Sequence, residues 1–153
     1  MKHYYIEEYK NYPAVTLYTI RMQMKKLSET DDFIDRFQHS VRYAEDFQTI
    51  IYFLQKISEN GSLERYLRPE GKASAIPIIS NKLRLYCIRL SDQILILGNG
   101  NSKTAKKIQD CSNCFPHFDL ANQVSKTIGM SIRNKQTFIN GQKLTGQLTF
   151  PLN

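Results

Sequence analysis

Two stretches, Lys82–Leu90 and Gln93–Leu97, are dense in Leu, Ile, Tyr and Cys and are joined by only Ser91 and Asp92. A link that short connects antiparallel strands and nothing else, because parallel strands need a crossover of a dozen residues or more. A β-hairpin therefore sits at the centre of whatever this chain builds. On its first strand Leu83, Leu85 and Cys87 fall on one face, and Lys82, Arg84 and Tyr86 on the other. The first face needs a helical cover; the second is expected to present two cations and an aromatic ring.

The helices are legible upstream. Ser28 or Thr30, followed by Asp31 and Asp32, marks a helix start, with acids where the helix dipole favours them. Phe33, Ile34, Phe37 and Val41 then recur at helical spacing, and Phe47, Ile50, Ile51, Leu54 and Ile57 form a second stripe that ends near Asn60 and Gly61. Ahead of them Ala14–Ile20 reads as a strand; behind them the Gly-, Pro- and Lys-containing stretch 61–81 holds at most a short strand at Ala75–Ile79. Leu120, Val124 and Ile128 support a helix from Asp119 to Ile128 with Gly129 at C′, and Asn140–Gly141 centres a terminal hairpin whose second arm is Leu144–Phe150. The expected fold is α+β: an N-terminal strand and helical hairpin packed on a small antiparallel sheet, with an added C-terminal helix and β-hairpin. No repeat or linker divides residues 1–153, so one domain is expected.

Charge narrows the function. The net charge is +7, and residues 56–107 hold 10 Lys/Arg against 4 Asp/Glu, which accounts for six of the seven excess charges. A local field of one sign attracts and retains phosphate backbones, and a polyanion such as RNA is the partner this implies. Met1–Pro13 lacks the apolar stretch of a secretion signal, and the longest aliphatic run is Ile94–Leu97, so the expected location is the cytoplasm with no membrane segment. Cys87, Cys111 and Cys114 are then expected as reduced thiols.

Three motif-like features compete. Gly98–Thr104 resembles a phosphate-cradling loop, but Ser102 stands where such a loop needs Gly before its Lys, which argues against a nucleotide triphosphatase. Cys111, Cys114 and His117 offer three zinc ligands without a second closely spaced pair, so a free-cysteine loop ahead of a helix is the preferred reading and no metal is assigned. The third feature is the group Arg65, Tyr66, Arg68, Lys72, Lys82, Arg84, Tyr86, Arg89, Lys103, Lys106 and Lys107. Cations can stabilise the charge that builds on phosphorus when a 2′-hydroxyl attacks the neighbouring phosphodiester, and aromatic rings can stack unpaired bases. Such chemistry needs no cofactor. A solvated sheet face with scattered lysines is the plainer reading of the same residues.

The element order, with Arg68–Ser74, Lys82–Leu90 and Ile94–Gly100, resembles the RelE/ParE toxin superfamily, and within it the HigB-like, phage-associated branch. The resemblance spans roughly residues 14–128, leaving 129–153 as an extension. It implies a toxin of a type II toxin–antitoxin system, a metal-independent endoribonuclease that cuts mRNA at the ribosome and is neutralised by a cognate antitoxin. It places Arg84 on the scissile phosphate and matches Lys103, Lys106 and Lys107 to a basic loop; Lys82, with Arg89 or Lys103, would assist Arg84. Tyr86 or Tyr66 would stack a base, His117 would transfer protons, and Arg68, Lys72 and Arg89 would bind substrate. The late Arg or Tyr that many members use has no counterpart here. A non-catalytic nucleic-acid or protein-binding module of a mobile element, and a gyrase-directed poison, remain alternatives.

Overall fold

Period-two burial organises the N-terminal half. The computed structural model describes residues 2–79 and 81–153. Strand β1 (His3–Asn11) pairs antiparallel with β2 (Thr16–Met22). The second is the expected Ala14–Ile20 strand, shifted by two residues. The first is an addition: Tyr4 and Ile6 are buried and alternate with more exposed neighbours, a pattern diluted in sequence by Glu7 and Glu8.

Helix α1 (Glu29–Phe37) starts where expected, with Ser28 Oγ accepting the Asp31 N–H at 3.0 Å. It ends a turn early, so Val41 lies in the connection to α2 and is 93% exposed. Helix α2 (Ala44–Asn60) terminates at Gly61, whose φ of +96° suits glycine. The chain then makes a 3-10 turn at Glu64–Tyr66 and a short hairpin, β3 (Arg68–Glu70) and β4 (Ala73–Ile76). The central hairpin follows as β5 (Leu83–Ser91) and β6 (Ile94–Ser102).

These strands form one seven-stranded sheet in the order β3-β4-β5-β6-β2-β1-β9, where β9 is Thr149–Pro151. The expectation of a small antiparallel sheet is corrected in size and in one pairing: β2 and β6 run parallel, with Thr16 opposite Ile94 and Thr19 opposite Leu97. The strand expected at Ala75–Ile79 starts and stops earlier, and its partner β3 was not anticipated. Strand β6 also continues through Gly98–Ser102, so most of the stretch that resembles a phosphate loop is sheet, with Lys103 and Thr104 just beyond it. Gly100 is required there, because a Cβ would come within 1.7 Å of the Arg84 carbonyl oxygen.

Both faces of the sheet are covered. Leu83, Leu85 and Cys87 pack with Phe33, Phe37, Phe47, Ile50 and Ile57 of α1 and α2, as the alternation implied. The opposite face receives α3 (Phe115–Arg133), a longer helix than the expected Asp119–Ile128 that runs on through Gly129. Ala121, Val124 and Ile128 close over Tyr86, Ile88, Tyr18, Ile20 and Ile96. Arg84 is thus 7% exposed and Tyr86 fully buried, where an open cationic face was expected. The reason lies outside β5. Other strands of the sheet, β1, β2 and β6, contribute Tyr4, Ile6, Ile20, Ile94 and Ile96 to that face, and so much apolar surface demands a cover.

The expected terminal hairpin divides into β7 (Thr137–Asn140) and β8 (Lys143–Gly146) around Gly141, with β9 leaving to join β1 at the sheet edge. Leu144 N–H donates to the Tyr18 hydroxyl at 2.9 Å, which fixes the hairpin to the main sheet. Among the described residues no helix is long and apolar enough to cross a membrane.

Candidate nucleic-acid interface

At one end of the sheet the α1–α2 connection, the start of β5 and the segment after β6 surround an open cleft of about 1060 Å³. Five cations line it: Arg42, Lys82, Arg84, Lys103 and Lys106. Two carboxylates, Glu45 and Asp46, share the rim. Asp46 is committed to the backbone, since its Oδ2 accepts the Leu83 N–H at 3.3 Å. Lys103 N–H donates to the Lys82 carbonyl at 2.7 Å, so the hairpin holds those two lysines side by side at its open end. Arg42 was not among the residues singled out from the sequence; a lone arginine in the break between two helical stripes carries no periodic signal.

Arg84 has unusual surroundings. Its Nε is 4.0 Å from Glu70 Oε1, and Arg68 Nε is 3.8 Å from the same oxygen. Two guanidinium groups thus share one carboxylate at distances too long for good hydrogen bonds. Arg84 Nε and Nη1, Arg68 Nη1 and the Tyr86 hydroxyl are buried with no hydrogen-bond partner among the described residues. Each such donor costs roughly 1–3 kcal/mol if it stays unpaired. The cluster is therefore poised to take up water or an anion.

Tyr86 cannot stack a base from this position: its ring lies edge-on to Phe118 of α3, centroids 6.0 Å apart, and has no exposed surface. Burial also pushes its hydroxyl well above the ordinary phenol range. His117 is half-buried, and burial, with the nearby Arg36 charge, lowers its imidazole to about 4 against the opposing pull of Asp32. Its charged neighbours belong to α1, and the cleft lining does not include it. Arg36 and Asp32 are themselves engaged with Asn99 of β6: Arg36 Nη2 donates to Asn99 Oδ1 at 2.6 Å, and Asn99 Nδ2 donates to Asp32 Oδ2 at 2.9 Å. Burial acts to raise the Asp32 carboxyl, but the Asn99 and Arg36 bonds outweigh it and hold the group below its usual value. This network fastens α1 to the sheet end.

The remaining cations scatter. Arg89 sits at the opposite end of β5, where Nε donates to the Ser62 carbonyl at 2.7 Å and the guanidinium pairs with Glu64 and Asp92. Tyr66 lies on the 3-10 turn, its hydroxyl accepting from Asn60 at 2.9 Å. Lys72 occupies the β3–β4 turn, which α3 grips: Lys72 N–H donates to Asn122 Oδ1 at 2.6 Å, and Ser125 Oγ donates to the Lys72 carbonyl at 2.7 Å. Lys107 is exposed beside Lys106 but outside the cleft lining. Among the described residues no three His, Cys, Asp or Glu side chains come together to hold a metal ion.

No family model matches the chain, and no curated protein or solved structure matches it either.

Proposed function

We propose that the cleft at the sheet end binds the phosphate backbone of RNA and that the protein is a toxin-type, metal-independent endoribonuclease acting on mRNA at the ribosome. The observation that carries the reading is the convergence of Arg42, Lys82, Arg84, Lys103 and Lys106 on one cleft, from three separate parts of the chain. The unpaired nitrogens of Arg84 add a donor set suited to a phosphate oxygen. The run from β2 through the helical hairpin to β4, β5 and β6 follows the element order that the resemblance implies. In this reading the 2′-hydroxyl oxygen attacks the adjacent phosphorus and gives up its proton to water, while the P–O5′ bond breaks and the 5′-oxygen leaves, taking up a proton from water. Arg84, Lys82 and Lys103 stabilise the added negative charge on the equatorial oxygens. A cognate antitoxin would silence the protein by laying an acidic segment over the same cations.

The buried position of Tyr86 and the engagement of His117 with α1 favour a second reading, a nucleic-acid-binding module of a mobile element without cleavage activity. The test is tightly induced expression in a bacterial host with mapping of new mRNA 5′ ends, for the wild type and for Arg84→Met. Growth arrest with in-frame cuts, both lost in the variant, is the expected result. Normal growth and intact mRNA from soluble wild-type protein would overturn cleavage, and retained RNA binding in that case would select the binding module.

A further inference from the structure

The segment between β6 and α3 contains a feature that RNA binding does not use. Cys111 ends its 3-10 turn and Cys114 caps α3, three residues apart, and both are buried. Cys111 Sγ accepts the Thr104 N–H at 3.4 Å and lies 3.7 Å from the Thr104 hydroxyl. It also lies 3.8 Å from the Ser102 carbonyl, to which the thiol form donates. Cys114 Sγ donates to the Asn101 carbonyl at 3.4 Å and adjoins the Tyr86 hydroxyl and the Arg84 charge.

We propose that Cys111 and Cys114 are a redox-active dithiol, closed to an intrachain disulfide by a peroxide. The two thiols stand in a Cys-x-x-Cys spacing and contact the adjacent carbonyls of Ser102 and Asn101; with Cys111 also receiving the Thr104 N–H beside a helix N-terminus, they are arranged as an attacking and a resolving thiol. The titration behaviour agrees. Burial acts to raise Cys111, but the donors around it outweigh burial and lower it to about 7, while burial raises Cys114 to about 12. Cys87, buried in the sheet with burial alone acting on it, is pushed far up and serves as an internal control. Access comes through the cover. Lys103–Asp110 contains one 3-10 turn and is largely exposed, with Ala105 and Ile108 only partly buried against the core cluster that includes both cysteines. A largely exposed segment outside the sheet opens locally more often than the sheet does.

The chemistry balances with peroxide as the oxidant. The Cys111 thiolate attacks one peroxide oxygen, forming S–O and breaking O–O, and the departing hydroxide takes up a proton to become water. Cys114 sulfur then attacks the Cys111 sulfenic acid, forming S–S, and the hydroxyl leaves as water with the Cys114 proton. Two thiols lose two electrons and one peroxide becomes two waters.

The experiment treats the reduced, folded full-length protein with stoichiometric hydrogen peroxide, then unfolds and alkylates it for mass spectrometry. The expected result is loss of two hydrogens, one alkylated cysteine identified as Cys87, a disulfide joining Cys111 to Cys114 in the peptide that contains both, and full reversal by dithiothreitol. Cys87→Ser should still lose two hydrogens. Cys111→Ser should lose none, and Cys114→Ser should stop at a sulfenic acid that dimedone traps. Three alkylated cysteines after treatment of the wild type, or oxidation mapping to Cys87, would overturn the proposal whether or not the serine variants fold. RNA cleavage is not measured, so neither outcome bears on the proposed function.

Discussion

Arg84 and Glu70 face each other at 4.0 Å inside the protein, close enough for attraction but too far for a hydrogen bond, and Arg68 competes for the same carboxylate oxygen. A buried guanidinium held this loosely gains little from its counter-ion and keeps most of its desolvation cost. Arg84→Met should cost about 1–2 kcal/mol, less than breaking an isolated buried pair, because Arg68 stays beside Glu70 to pair with its carboxylate while the unpaired Arg84 donors are removed. Urea unfolding checks this. The same variant should lose mRNA cleavage, which separates a binding role from a structural one.

Glu70→Gln acts in the opposite sense. It leaves two guanidinium groups near each other without a carboxylate and should destabilise by on the order of 2 kcal/mol. Inorganic phosphate should restore part of the loss by ligand linkage, read as a larger rise in Tm than the wild type shows.

Backbone binding by the cleft predicts a graded salt response. Arg42→Gln, Lys82→Gln, Lys103→Gln and Lys106→Gln should each weaken RNA binding without changing sequence preference. Each should also reduce the slope of log affinity against log salt by about 0.7–1. Arg89→Gln should leave the slope unchanged, since that side chain is tied to Ser62, Glu64 and Asp92. Fluorescence anisotropy with a labelled single strand, repeated across salt concentrations, distinguishes the two groups.

His117 makes stability depend on pH. Its folded value of about 4 lies below the ordinary 6.5, so between those values the unfolded chain binds a proton that the folded chain, its imidazole buried with Arg36 beside it and Asp32 opposing, does not. Stability from this group is complete above pH 6.5 and falls as pH drops toward 4, by on the order of 2 kcal/mol. Denaturant midpoints measured from pH 7 to pH 4.5 should decline less steeply for His117→Gln.

Gly100→Ala should be among the most damaging single methyl additions. The new Cβ would meet the Arg84 carbonyl in the paired strand, where neither backbone can yield without breaking the β5–β6 ladder. A loss of about 3 kcal/mol or more, or failure to fold, is expected, read from soluble yield and urea unfolding.

The sequence alone determined the helical hairpin and the central β-hairpin. Ser28 caps α1, Gly61 stops α2, and two residues between apolar runs force β5 against β6; each is a local rule that needs no distant partner. It also marked Lys82, Arg84, Lys103 and Lys106, because charge clusters survive in one dimension. What the second face of the sheet does depends on strands distant in sequence. Whether Arg84 and Tyr86 meet solvent depends on Tyr4, Ile6, Ile20 and Ile96 from other strands, which make that face apolar enough to draw α3 over it. Arg42 joined the cleft by the same route. Burial and proximity belong to the assembled sheet, and no single strand's alternation encodes its neighbours' contribution to a shared face.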